Sequence, residues 1–139
     1  MPDDYLDGLR AEDRAATYTF GLADPNAPVT LVAEEAGVVA GFVTIGLASG
    51  TNLPGAGAVF ALYVGPPHWR TGVGRRLIAS ARDQLVHWSC PQALLWVLAG
   101  NERAARFYAA DGWDPDGRRR DAEVWGIKVN EVRYRRALP

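Results

Sequence analysis

Apolar residues recur every three or four positions from Val73 onward. Val73, Leu77, Ile78, Ala81, Leu85 and Trp88 fall on one stripe, which predicts an amphipathic helix. Before it, Val59 to Val64 is a strand-length run of β-branched and aromatic residues, and Gly65-Pro66-Pro67 stops it because prolines cannot continue a ladder. After it, Ala93 to Leu98 (ALLWVL) is continuously apolar, the pattern of a strand buried on both faces. Strand, helix and strand in this order place two parallel strands at the centre of a sheet.

The flanks read differently. Pro28 to Glu35 and Val38 to Gly46 predict two strands turning at Glu35-Ala36-Gly37, a hairpin signal. Leu47 to Gly57 is a Gly, Ser, Thr, Asn and Pro-rich loop that either connects strands or overhangs a ligand site. Asn101 before Glu102 is a good N-cap, and the helix it opens ends at Gly112. Trp113 to Gly117 reads as a turn. Arg118 to Gly126 and Lys128 to Arg136 read as extended, with Val132 and Tyr134 alternating against Glu131, Arg133 and Arg135. Upstream, Asp4 to Leu9 predicts a helical turn. Ala11 to Leu22 predicts a helix on Ala15, Tyr18 and Leu22, ended by Gly21 and Pro25. The order is α, ββ, β, α, β, α, ββ. It implies an α/β (α+β) fold, a mixed and mostly antiparallel sheet with a parallel β-α-β core flanked by helices. No repeat or linker interrupts residues 1–139, which read as a single domain.

Composition narrows the class. With 48% hydrophobic and 22% charged residues the chain is globular in type, and no apolar run approaches a bilayer span. The acidic start MPDDYLDGLR has no signal-peptide core, and the single Cys90 suits a reducing compartment, so a cytoplasmic location is expected. A net charge of −1 argues against a nucleic-acid binder. Lys128 is the one lysine among 15 basic residues.

The chemistry concentrates in two stretches. Arg70-Thr71-Gly72-Val73-Gly74-Arg75 sits between the central strand and its helix. Gly72 and Gly74 bring main-chain N–H groups to a helix N-terminus, where donors lack partners and the macrodipole is positive, and Arg70 and Arg75 flank them. That combination suits phosphate or pyrophosphate. It is neither a P-loop, because Arg75-Arg76 follows Gly74, nor a dinucleotide fingerprint, because Leu77 stands where a third small residue is needed. An ordinary turn with solvated arginines is the alternative. The second stretch is Asn101 to Trp113, which alone is a small amphipathic helix with an aromatic face.

Other residues carry blander readings. His68, His87 and Cys90 make no zinc spacing, and Cys90 reads as structural. Arg118 to Arg120, with Arg133, Arg135 and Arg136, read as solvated strand faces diluted by Asp121 and Glu123; a basic face for an acidic partner is the alternative. Trp96, Trp113 and Trp125 read as core or slot-lining, with Trp125 also placed to touch a substrate.

Taken together, the glycine turn, helix, buried strand and N-x-x-A-x-x-F-Y-x-x-x-G-W resemble the GCN5-related N-acetyltransferase (GNAT) family over about residues 28 to 137, most closely from Phe60 to Trp113. The resemblance implies acetyl-CoA as cosubstrate and a small-molecule or peptide amine as acceptor, attacking the thioester directly in a ternary complex. It implies that Leu62, Tyr63 and Val64 form a bulged strand pairing with the pantetheine arm and holding the thioester carbonyl. Arg70, Thr71, Gly72, Val73, Gly74 and Arg75 would cradle the pyrophosphate. Asn101 would bond near the thiol, Phe107 would pack on the cofactor, and Tyr108 would be the general acid for the leaving thiolate.

Three departures stand against the pattern. Trp69 occupies the place where the family often has Gln or Arg. Ala58 and Trp96 stand where many members carry a basic Glu, leaving Glu34, Glu35, Glu123 and Glu131 as candidates. The usual first strand and helix are missing, so the Pro28–Glu35 strand is expected to expose an edge, a route to a homodimer. A non-catalytic acyl-CoA-binding or interaction module of the same fold is the rival reading.

Overall fold

The computed structural model describes residues 15–19, 28–48 and 51–139. Seven strands form one sheet: β1 (Ala15–Thr19), β2 (Val29–Glu35), β3 (Val38–Leu47), β4 (Gly57–Val64), β5 (Gln92–Leu98), β6 (Asp114–Val124) and β7 (Ile127–Ala137). Helix α1 (Val73–His87) links β4 to β5, and α2 (Glu102–Ala110) links β5 to β6. The strand order is β1-β2-β3-β4-β5-β7-β6. Among the described strands only β4 and β5 run parallel, as the strand–helix–strand pattern requires.

The helical stripe does what its spacing predicts. Val73, Leu77, Ile78, Ala81 and Leu85 are all buried, packed on Val43, Ile45, Val59, Ala93, Leu95 and Val97 from one face of the sheet. Trp113 completes that core with none of its surface exposed. On the other face Leu53, Ala56, Ala58 and Leu94 make a smaller cluster with Trp96 against it. The β2–β3 hairpin turns through Ala36 and Gly37, both at positive φ, the two-residue turn that matches strand twist.

Four expectations are corrected. Ala15–Thr19 is a strand, not part of a helix, and it pairs along Thr19↔Val29 to Ala15↔Ala33. The β2 strand therefore has no open edge; its row of N–H and C=O groups recruits the β-prone Thr-Tyr-Thr segment, overriding a weak helical period. Residues 114–117 belong to β6 rather than to a turn; an irregularity between Pro115 and Arg119 absorbs the Pro and Gly signals. Trp125 is 94% exposed at the tip of the β6–β7 hairpin and is no part of the core. The helical turn expected at 4–9 lies outside the described residues.

Candidate active site

The site begins where the sheet comes apart. β4 pairs with β5 only at Gly57↔Ala93, Ala58↔Leu94 and Val59↔Leu95. On its other side β4 pairs Val59 with Ile45 and Ala61 with Thr44, so Phe60 is an extra residue opposite none. This bulge bends β4 away from β5. Beyond it, Trp96, Val97 and Leu98 of β5 pair only with β7. A slot opens between the two central strands.

The orientation of β4 past the bulge follows from one hydrogen bond. Gly65 N–H donates to Ala40 O on β3, 2.8 Å. Successive residues turn their main-chain groups to opposite sides, so Val64 and Leu62 present theirs to the slot. Their side chains pack on the helical face of the sheet. Tyr63 does neither: its ring lies on the opposite face, 5.8 Å from Phe42 between centroids. Of the three expected strand residues, the structure brings Leu62 and Val64 to the slot and turns Tyr63 away.

At the head of the slot, Gly72 caps α1 in the left-handed region, φ +89°, with no side chain competing for the helix end. The first helical bond is Arg76 N–H to Gly72 O, 3.0 Å, leaving the N–H groups of Val73, Gly74 and Arg75 ahead of it. A Cβ on Gly74 would come within 3.2 Å of the Phe107 ring, so any larger residue there would push the ring aside by a few tenths of an ångström. Thr71 Oγ1 donates to His68 O and fixes the loop before the turn. Arg70, itself at φ +66°, and Arg75 are exposed and have no ion-pair partner among the described residues. Arg76 is instead neutralised by Glu35 at 3.0 Å; that bond, with His68 also near, holds the Glu35 carboxyl below its usual range.

Helix α2 supplies the other wall. Asn101 Oδ1 accepts from Ala104 N–H at 3.1 Å, as its N-cap position predicts, which leaves its amide nitrogen for any ligand. The Phe107 and Tyr108 rings meet edge to face at 5.2 Å. The Tyr108 hydroxyl has no hydrogen-bond partner among the described residues, and no buried side-chain polar atom there lacks one, so it reaches accessible space. Burial, helped by the Asp111 charge, pushes the phenol pKa up to about 12 and keeps it protonated. Asp111 anchors the helix end: it accepts from Arg82 Nε and Nη2 and from Trp113 Nε1, each at 2.9 Å.

Trp69 is the feature the sequence flagged without explaining. Its indole N–H donates to Val64 O at 2.8 Å, capping one of the acceptors that faces the slot. The Arg103 guanidinium lies 3.7 Å over the same ring, so the glycine turn and α2 are clasped across the slot mouth. Of the four candidate bases, Glu34 is buried, Glu35 is paired beside the β2–β3 hairpin and Glu123 sits near the β6–β7 tip. Only Glu131 borders a cavity that also touches Phe60 and Trp96. Cys90 is buried and its thiol pKa is raised by that burial, consistent with a structural role.

Comparison with known proteins agrees with this geometry. A family model described as the acetyltransferase (GNAT) family matches residues 2–113. Among solved structures, the ribosomal-protein-S18-alanine N-acetyltransferase of Escherichia coli superposes with a TM-score of 0.66 at 19% identity, covering 91% of this chain and 83% of that one. The ribosomal-protein-alanine N-acetyltransferase of Brucella melitensis gives 0.69 at 19% identity, over 80% and 69% of the two chains. Naa20 of Chaetomium thermophilum, in complex with a bisubstrate analogue, gives 0.66 at 22% identity, over 78% and 65%. Comparison with curated sequences gives no match. With a split β4–β5 pair, a glycine turn and an Asn-to-Trp helix inside the matched span, the chain belongs to the GNAT acetyltransferase family.

Proposed function

We propose that the chain is an acetyl-CoA-dependent N-acetyltransferase acting on a primary amine by direct attack in a ternary complex. The observation that carries this is the parting of β4 from β5 at Phe60, which aims the main chain of Leu62 and Val64 into a slot walled by α1 and α2. The donor set fits the cosubstrate. Main-chain N–H groups at the α1 terminus, with Arg70 and Arg75 beside them and unpaired among the described residues, suit a pyrophosphate. Acetyl-CoA supplies an activated acyl group on a good leaving thiol.

The chain's own groups do the rest. Leu62 and Val64 main-chain groups orient the arm and the carbonyl, and an N–H aimed at the oxygen stabilises charge developing there. Asn101 donates from its amide nitrogen. Phe107 packs the slot floor. Tyr108 keeps its proton at neutral pH and donates it toward the departing sulfur as negative charge collects. As the amine nitrogen bonds to the acyl carbon and the carbon–sulfur bond breaks, the ammonium proton leaves through Glu131 or water. One buried free thiol fits a cytoplasmic setting.

A non-catalytic CoA-binding reading has one specific observation behind it: Trp69 occupies the Val64 carbonyl. Thermal unfolding with CoA, acetyl-CoA and ATP, followed by thiol release with an amine panel, separates the two. At a hundredfold excess over Kd both CoA forms should add about 2.7 kcal/mol, and ATP should add nothing. Arg70→Glu or Arg75→Glu should weaken CoA chiefly. A CoA shift without thiol release from any amine favours the binding module, and no shift refutes both.

A further inference from the structure

On the sheet face away from the helices lies a cavity of about 370 Å³, opening where β4 leaves β5. Phe60 and Trp96 line it, together with Arg118, Arg119, Arg120, Arg133 and one carboxylate, Glu131. These charges do not cancel. Arg133 is spent on Asp116, at 2.6 Å, with both side chains almost fully buried. Arg120 is spent on Glu131 at 2.7 Å and lies 4.3 Å over the Trp96 ring. Arg119 turns to the other sheet face: it donates at 3.0 Å to Asn130, which in turn donates to Asp121, all opposite in register to Arg120 and Glu131. Arg118 has no side-chain partner among the described residues; only its main-chain N–H is held, by Asp116. One guanidinium, that of Arg118, therefore stands at the cavity without a counter-charge.

The cavity is also held in shape. Arg133 Nη1 donates to Thr51 Oγ1 and Asn52 Oδ1, both at 3.2 Å, tying the β3–β4 loop to the floor. The irregularity in β6 wraps residues 116–118 around Arg133, which places Arg118 at the rim. The volume falls within the range of small-ligand sites, at roughly 300–1,000 Å³.

We infer that this cavity receives an amine that also carries an anionic group, a carboxylate or a phosphate, held by Arg118 while the amine reaches inward between Phe60 and Glu131. The inference rests on the acetyltransferase reading, because it takes the cavity across the sheet from the CoA slot as the acceptor site. Guanidinium forks match carboxylate and phosphate geometry, and the uncompensated charge repels a second ammonium. Acidic amines are accepted and polyamines rejected.

The test is a charge series of matched length: 4-aminobutyrate, its amide and 1,4-diaminobutane, with 2-aminoethylphosphonate to separate phosphate from carboxylate preference. Thiol release from acetyl-CoA is measured at low salt with the wild type and with Arg118→Gln. An acid kcat/KM about tenfold above the amide is expected, the size of a charge-assisted pair at a partly open site. The diamine should fall below both, and the acid-to-amide ratio should drop toward one in Arg118→Gln. A diamine used as well as the acid, or a ratio untouched by Arg118→Gln, overturns the inference. If no amine is acetylated, calorimetric binding of the acid and its amide gives the answer instead. Acid binding lost in Arg118→Gln supports the anion site, whereas equal or absent binding overturns it. The CoA shift separately reports on the acetyltransferase reading.

Discussion

Asp111→Ala removes the anchor of α2 and leaves its neighbours in place. Three donors converge on that carboxylate: the two Arg82 nitrogens and Trp113 Nε1, each at 2.9 Å. Their fates differ once it is gone. The Arg82 side chain is 23% exposed and rehydrates, so the bidentate pair contributes about 1–2 kcal/mol rather than the value of a dry one. Trp113 has no exposed surface, so its indole N–H is left unpaired in the core, at about 1–2 kcal/mol more. The expected loss is about 3 kcal/mol. With about 2.1 cal/mol/K of unfolding entropy per residue, that lowers Tm by roughly 10 °C. Calorimetry of Asp111→Ala, Trp113→Phe and Arg82→Met resolves the parts, and the Asp111→Ala, Arg82→Met double variant should show coupling of about 1 kcal/mol. A drop below about 3 °C for Asp111→Ala would refute the claim that this carboxylate fastens α2.

Other predictions follow from the same geometry. Tyr108→Phe should lower turnover with little change in CoA affinity; an unchanged rate in stopped thiol-release assays would remove the hydroxyl from the chemistry. The phenol pKa is raised to about 12 against an ordinary value near 10, so its contribution to stability is whole below about pH 10 and lost as pH rises toward 12. Urea titrations over that window should slope less in Tyr108→Phe. Desolvation raises the Asp116 pKa, but the Arg133 bond and the Arg118 N–H outweigh it and leave the pKa lowered. Its contribution is therefore present above about pH 4 and lost as pH falls below, and Asp116→Asn should flatten that acid limb. Trp69→Phe keeps a ring beneath Arg103 but frees Val64 O, so CoA should bind a few-fold tighter, about the value of one net hydrogen bond; weaker binding by calorimetry would show that the indole supports the slot.

The parts of this protein legible in its sequence are those fixed by near neighbours. The α1 stripe, the Ala36-Gly37 turn, the Asn101 cap and the glycine turn each depend on residues a few positions apart, and each is found where expected. Strand β1 escaped because Ala-Ala-Thr-Tyr-Thr has an ambiguous period, and the deciding partner, β2, begins ten residues later. Arg133 and Thr51 are 82 positions apart, so no local signal announces their bond. The arginines of β6 looked like a solvated face for the same reason: which of them keep a counter-charge is settled by pairing with β7 and by the irregularity at residues 116–118. Trp69 was visible as an oddity, but its target, the Val64 carbonyl, becomes apparent only in three dimensions.

The three-rung junction between β4 and β5 also bears on how the molecule breathes. One half-sheet, β1 to β4, is laced by long antiparallel ladders, and so is the other, β5 with β7 and β6. The seam between them has little main-chain bonding of its own and leans on α1, whose buried stripe touches strands of both halves. Amide exchange should accordingly divide into two blocks that open about this line, each internally cooperative. A ligand lying along the seam would act as the missing rungs, joining the blocks into one unit and slowing exchange in β2 and β7, strands it never touches.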